Sequence, residues 1–304
     1  MIKLEQPDIL LGFLYAFLGT LLFSLKSIFI KLAYAQGLNT DSVLMLRMAI
    51  SLPLYLFIIA YLYRKNNTSL SLIRQSFGLI IFLGFIGYFL ASWLDLKGLE
   101  YISAGLERLT LFTYPIFVTI LGALFFKTPI NKKIVITLVL TYLGLWIIFN
   151  QEAVVNTSKK TLGLTLVTLS ALSYSFYVLL SKNIIHKIGS LWFTALAMSV
   201  SSVFVLVYYG LFLDWDGLIV TKQAWVLVVS LAIISTVIPS FMISEAIAKI
   251  GSAQTGIVGT LGPVITIVLA VIILNEPFTI SHVIGISLVM IGVILLTVKS
   301  KKTN

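Results

Sequence analysis

Residues 101–130 read "YISAGLERLTLFTYPIFVTILGALFFKTPI" and residues 249–278 read "KIGSAQTGIVGTLGPVITIVLAVIILNEPF". Laid over each other at an offset of 148, Pro115 falls on Pro263, Ala123 on Val271 and Pro129 on Pro277. Further on, Gly144 in "TYLGLWIIF" falls on Gly292 in "LVMIGVILL". Upstream, "LGFLYAFLGTLLFSLKSIFIKLA" pairs with "LGLTLVTLSALSYSFYVLLSKNI" at an offset of 151. That sets Gly12 on Gly163, Ser24 on Ser175 and Lys31 on Lys182. The chain repeats itself, and a repeat of this length decides architecture before any local reading does.

Composition says what each copy is made of. Of 304 residues, 59% are hydrophobic and 11% charged. A soluble domain is about 45–50% apolar and about 25% charged. So few charges would not cover a soluble surface, and the sequence predicts an all-α integral membrane protein. The net charge of +10 does not point to nucleic acid, because the basic residues sit in short links between apolar runs. There they orient the protein in the bilayer. Cysteine is absent, so no disulfide or thiol chemistry is available.

A spanning helix needs about 17–25 mostly apolar residues. Ten runs qualify: roughly 10–33, 42–62, 76–96, 101–126, 132–149, 162–181, 191–213, 223–246, 250–274 and 280–298. The first follows "MIKLEQPD", which has no basic leader, and reads as a retained helix. With the N-terminus inside, one set of links carries 13 lysines and arginines and the opposite set carries 5. The other three, Lys26, Arg47 and Arg108, lie within spans. Both termini are therefore expected in the cytoplasm. The repeat divides the ten spans into five at residues 1–150 and five at 151–304. Five is odd, so the second half is expected upside down relative to the first. Inverted repeats are a construction principle of secondary transporters, with the substrate near the midplane where the halves meet.

The five-plus-five arrangement, "YISAGLERLTLFTYP", "IGSAQTGIVGTLGPV" followed by "LNEPFT", and the closing "IGISLVMIGVILL" resemble the EamA family of the drug/metabolite transporter superfamily. The resemblance covers nearly the whole chain. It implies a multi-pass carrier of the cell (inner) membrane, in many members an exporter of amino acids or related metabolites. The superfamily's small multidrug exporters use a glutamate in their first helix. The first span here has Lys26 and no acid, which argues against a lipophilic-cation exporter.

Charges near the bilayer centre cost about 2.5–3.5 kcal/mol each on insertion scales and face a cavity or a partner. At about 1.5 Å per residue, Lys26, Arg47, Asp95, Glu107 and Arg108 all fall in one layer of the outer half of the first repeat. The second repeat puts Tyr177, Thr255 and Gly256 where the first has Lys26, Glu107 and Arg108. The fold is thus buildable without these charges, which favours a functional role; a structural ion-pair network is the alternative. Neighbours on a helix point about 100° apart, so Glu107 and Arg108 need separate partners. Glu107 is expected to meet Lys26 or Arg47, and Arg108 to face the path.

Span nine carries Gly256, Gly259 and Gly262 opposite Arg108, Leu111 and Tyr114 of span four. That glycine stripe either packs a helix closely or leaves room for a ligand. The expected substrate-binding set is therefore Lys26, Arg47, Asp95, Glu107, Arg108, Tyr114, Gly256 and Gly259. Tyr88, Trp93, Tyr142 and Trp146 are further aromatic candidates.

Three buried cations against two buried acids leave one positive charge, which suits a carboxylate held bidentately by arginine. The expected function is export of an amino acid or other carboxylate-bearing metabolite by alternating access. Uptake of a host or medium metabolite, such as a nucleoside-containing cofactor, and a non-transporting membrane scaffold are the rivals. His186 and His282 fall on opposite sides, and no nucleotide-binding, metalloprotease or hydrolase motif occurs. No enzyme activity, cofactor or nucleic-acid partner is expected. The expected partners are a small molecule and the lipid bilayer. Proton binding at Glu107 stays open beside simple exchange, and oligomeric state is not legible.

Overall fold

The structure, a computed structural model, describes residues 6–65, 70–126, 132–151, 157–212, 218 and 220–297. The described residues are almost entirely helical. Helix α1 is Gln6–Ala35, α2 Thr40–Arg64, α3 Leu70–Gly84 and α4 Ala91–Leu99, the last two joined by a π-helical turn at Phe85–Leu90. Next come α5 (Ala104–Leu111), α6 (Tyr114–Phe126) and α7 (Lys132–Gln151). The second half begins with α8 (Thr157–Ile188), α9 (Ser190–Phe212) and α10 (Lys222–Ala232). A π-helical turn at Ile233–Val237 leads into α11 (Ile238–Gly259), followed by α12 (Leu261–Leu274) and α13 (Ile280–Thr297).

Seven helices among the described residues are long and apolar enough to cross a membrane. Shorter apolar helices at Val135–Asn150, Leu261–Leu274 and Ile280–Gly292 overlap the runs expected as spans five, nine and ten. The surface is apolar in a way water would not tolerate: Leu10, Phe57, Leu211 and Ile280 are 70–73% exposed. The interior, by contrast, holds Ser24, Ser27, Thr110, Ser201 and Ser202. Hydroxyls inside and large apolar side chains outside are the signature of a bundle solvated by lipid.

One expected boundary is corrected. The break expected between spans eight and nine, at 247–249, is absent: α11 runs on to Gly259 and the chain turns at Thr260. In the first half the corresponding helix start has a cap, Ser103, whose Oγ accepts from the Leu106 N–H at 3.0 Å. At the offset of 148 the matching residue is Gly251, which offers no side-chain oxygen to accept such a bond.

Packing is symmetric under exchange of the halves. Helix α1 runs along α11 and α12; its counterpart α8 runs along α4 and α6. Helix α2 packs on its own counterpart α9, and α7 on α13. The α7–α13 crossing is close: a Cβ on Gly144 would lie 2.5 Å from the Gly285 carbonyl oxygen, and one on Gly285 would lie 2.6 Å from that of Gly144. The two π-helical turns begin at residues 85 and 233, again 148 apart. Such turns are rare and concentrate at functional sites.

Candidate functional site

Helices α5 and α6 are one apolar run interrupted at Phe112 and Thr113. Pro115 has no N–H to donate back into the preceding turn, so the helix breaks there. The Thr113 hydroxyl turns onto the Thr110 carbonyl at 2.7 Å. The second half breaks one turn before Pro263 in the same manner. Each break is held by a serine of the opposite half. Ser175 donates to the Tyr114 carbonyl at 3.0 Å, and Ser24 to the Gly262 carbonyl at 3.1 Å. Both acceptors immediately precede the proline. Each serine also bonds back into its own helix, to Ala171 and Thr20 respectively. The repeat is thus legible down to individual hydroxyls.

The break places the charged residues. Lys26 on α1 gives its ammonium to Asp95 Oδ2 on α4 at 2.5 Å. Glu107 on α5 is fully buried, and its Oε2 accepts from the Ser27 hydroxyl at 2.6 Å. The Glu107 carboxyl lies against that of Asp95. The expected partner of Glu107 is therefore corrected: Lys26 takes Asp95, and Ser27, one residue on, takes Glu107. Arg47 on α2 is 3% exposed and stands near enough to Asp95 and Tyr55 to act on them through its charge, yet its Nε has no partner. Arg108, in the last turn of α5, is half-buried. Its Nη2 makes one long bond, 3.4 Å, to the Phe23 carbonyl, and its Nε is buried without a partner. Lys26, Arg47, Asp95, Glu107 and Arg108 thus come together in one layer.

Around Arg108 stands a group of tyrosines. Tyr114 and Tyr174 meet edge to face at 5.2 Å, Tyr174 stacks on Tyr177 at 5.5 Å, and Tyr177 meets Tyr88 of the first π-helical turn at 4.9 Å. Tyr88, Tyr114 and Tyr174 are half-buried. Tyr114 and Tyr174 sit within reach of the Arg108 charge. Gly262 stands close by: a Cβ there would lie 3.9 Å from Arg108 Nη2. A Cβ on Gly259 would meet nothing within 4 Å, so that position is open. The surroundings of Gly256 lie outside the described residues.

Other aromatic candidates separate. Tyr142 and Trp146 point outward, 43% and 64% exposed. The Trp93 indole donates to Asp41 Oδ1 at 2.8 Å. Sequence reading missed Tyr174, Tyr177 and Ser27, whose only signal was their i, i+3 spacing or a place beside a buried charge. It also missed Glu276, which crosses between halves. Its carboxylate accepts from the Ala104 and Gly105 N–H groups at 2.8 and 3.3 Å, satisfying donors at the start of α5. Beside that contact lies a cavity of about 250 Å³ between Lys31, Glu100, Tyr101, Ser103, Glu276 and His282.

Apolar helices around a polar, partly hollow interior, with little soluble mass, define a multi-pass membrane transporter. The chain belongs to the EamA-like transporter family, which it matches over residues 10–150 and again over 161–298. It is 26% identical over 279 residues to the uncharacterized transporter YcbK of Bacillus subtilis, covering 90% of this chain and 88% of that one. It is 25% identical over 224 residues to the uncharacterized transporter YetK of the same organism, covering 72% and 68%. A solved crystal structure shares the fold at a TM-score of 0.65 and 17% identity, over 93% of this chain and 95% of the other.

Proposed function

We propose that the chain forms ten spans in two inverted five-helix repeats, 1–150 and 151–304, and carries a small carboxylate-bearing metabolite across the membrane by alternating access. The exchange symmetry of the packing, the paired serine bonds and the two π-helical turns support the repeat architecture. The two broken helices meet the opposite half at Ser24 and Ser175, so a rocking of one half against the other would move both breaks together.

One observation carries the choice of cargo. Arg108 carries a half-buried guanidinium whose buried Nε is unpartnered, with Tyr114 and Tyr174 within reach of its charge. A guanidinium is planar and forked and holds a carboxylate through two parallel bonds. A desolvated fork of this kind is costly without an anion and rewarded with one. Arg47, Lys26, Asp95 and Glu107 form the charged layer behind it. Tyr114 and the open position at Gly259 are assigned to the cargo site on this reading. An amino acid is the favoured cargo, and export is the direction the family resemblance favours.

Thermal unfolding of the purified protein against amino acids, carboxylates, amines and nucleosides tests the reading. A ligand that binds only the folded state raises apparent stability by mass action, about 2.7 kcal/mol at a hundredfold excess over Kd. A carboxylate-bearing compound should stabilise the wild type and fail to stabilise Arg108→Ala. Stabilisation by lipophilic cations alone, or a carboxylate effect that survives Arg108→Ala, overturns the assignment.

A further inference from the structure

Each of the two buried acids has one oxygen engaged and one bare. Lys26 takes Asp95 Oδ2 and Ser27 takes Glu107 Oε2. Asp95 Oδ1 and Glu107 Oε1 are sealed from solvent and have no hydrogen-bond partner, while the two carboxyl groups lie against each other. Two ionised carboxylates in this position would each present a desolvated acceptor without a donor, opposite a like charge. A single proton relieves both defects, because a protonated carboxyl becomes a donor to its neighbour.

We propose that Asp95 and Glu107 share one proton between Oδ1 and Oε1, and that this proton sets the charge available to the cargo. The groups facing the pair are few. Helix α1 brings Lys26, Ser27 and Tyr34, α2 brings Arg47, and α5 brings Arg108. Helix α8 brings tyrosines, and α12 contains no charged residue.

The consequence rests on the carrier reading above. With the proton held, Lys26 and Asp95 neutralise each other and Glu107 is neutral. Arg47 and Arg108 then keep their full charge for an anion. With the proton lost, Glu107 becomes a carboxylate beside Arg108 and competes with the cargo for it. Proton and carboxylate thus bind in positive linkage, and linkage is reciprocal. A carrier so linked moves both the same way. Under a proton gradient directed into the cell that way is inward, opposite to the export that the resemblance favours.

Infrared spectroscopy of the purified protein at neutral pH tests the shared proton without any ligand. A C=O stretch of a protonated carboxyl should be present, shift in D₂O, and disappear in Glu107→Gln. Side-chain ¹³C labelling of aspartate and glutamate moves the band in the wild type, so the assignment does not depend on the variant folding. Absence of the band, failure of the label to move it, or its persistence in Glu107→Gln overturns the proposal. The ligand panel fails separately: a missing band leaves a carboxylate hit standing, and a panel without hits leaves the band standing.

Discussion

Glu100 sits in the link between α4 and α5, outside the spans, and ties three things together. Its Oε1 accepts from the N–H and hydroxyl of Thr40, at 3.1 and 2.6 Å, and its Oε2 from Lys97 at 2.7 Å. Partial burial pushes the Glu100 carboxyl up, but the hydrogen bonds from Lys97 and Thr40 outweigh that and hold it below the usual range. The unfolded chain therefore binds this proton at higher pH than the folded one. The stability Glu100 contributes is complete above its unfolded value and is lost as pH falls through the depressed one. It is a partly exposed pair, worth at most about 1 kcal/mol. Thermal unfolding of Glu100→Gln should show a small loss at neutral pH and less acid sensitivity than the wild type. Glu276 acts differently, as a cap supplied from another helix. Glu276→Ala should lower stability by about 0.5–2 kcal/mol, the range for losing a cap, and loosen the start of α5. Unchanged stability would mean that water satisfies Ala104 and Gly105 equally well.

At the scale of elements, the serine bonds and the glycine crossing make separate demands. Ser24→Ala and Ser175→Ala each remove one donor from a carbonyl beside a proline. The net worth of such a bond is about 1 kcal/mol. The two variants should cost similar amounts in thermal unfolding, since the sites are counterparts; a difference of several kcal/mol would break the equivalence. Gly144→Leu puts a side chain where 2.5 Å separates its Cβ from the Gly285 carbonyl oxygen. Backbone cannot yield as a flexible side chain does, so α7 and α13 must part, at about 1–3 kcal/mol or more. Much of this level was legible in the sequence. Apolar runs, the offsets of 148 and 151, and the Pro115–Pro263 pair all mark real features of the fold. What was not legible is which faces meet. The side chain that reaches Glu107 depends on the rotation of α1 about its axis, and one residue of difference separates Lys26 from Ser27. The continuation of α11 to Gly259 was hidden for a related reason: apolar pattern does not reveal a missing cap.

For the whole molecule, the testable statement is the inversion. The count of 13 basic residues against 5 predicts that both termini lie in the cytoplasm. The proposed odd number of spans per repeat would then send each element of the second half the opposite way from its counterpart. The absence of cysteine makes this directly measurable, because any introduced thiol is unique. Ala35 and Lys187 are exposed ends of counterpart helices, α1 and α8. Arg64, at the end of α2, and Lys222, at the start of α10, mark the two faces independently. An impermeant thiol reagent on intact cells should label Ala35→Cys and Lys222→Cys. It should reach Arg64→Cys and Lys187→Cys only after permeabilisation. Labelling Ala35→Cys and Lys187→Cys from the same side would make the halves parallel and remove the basis for two exchangeable conformations. The reverse pattern at all four positions would keep the inversion and turn the charged layer toward the cytoplasm. In that case the Asp95–Glu107 pair would sit nearer the inner face, while the direction of linked movement, set by the proton gradient, would be unchanged.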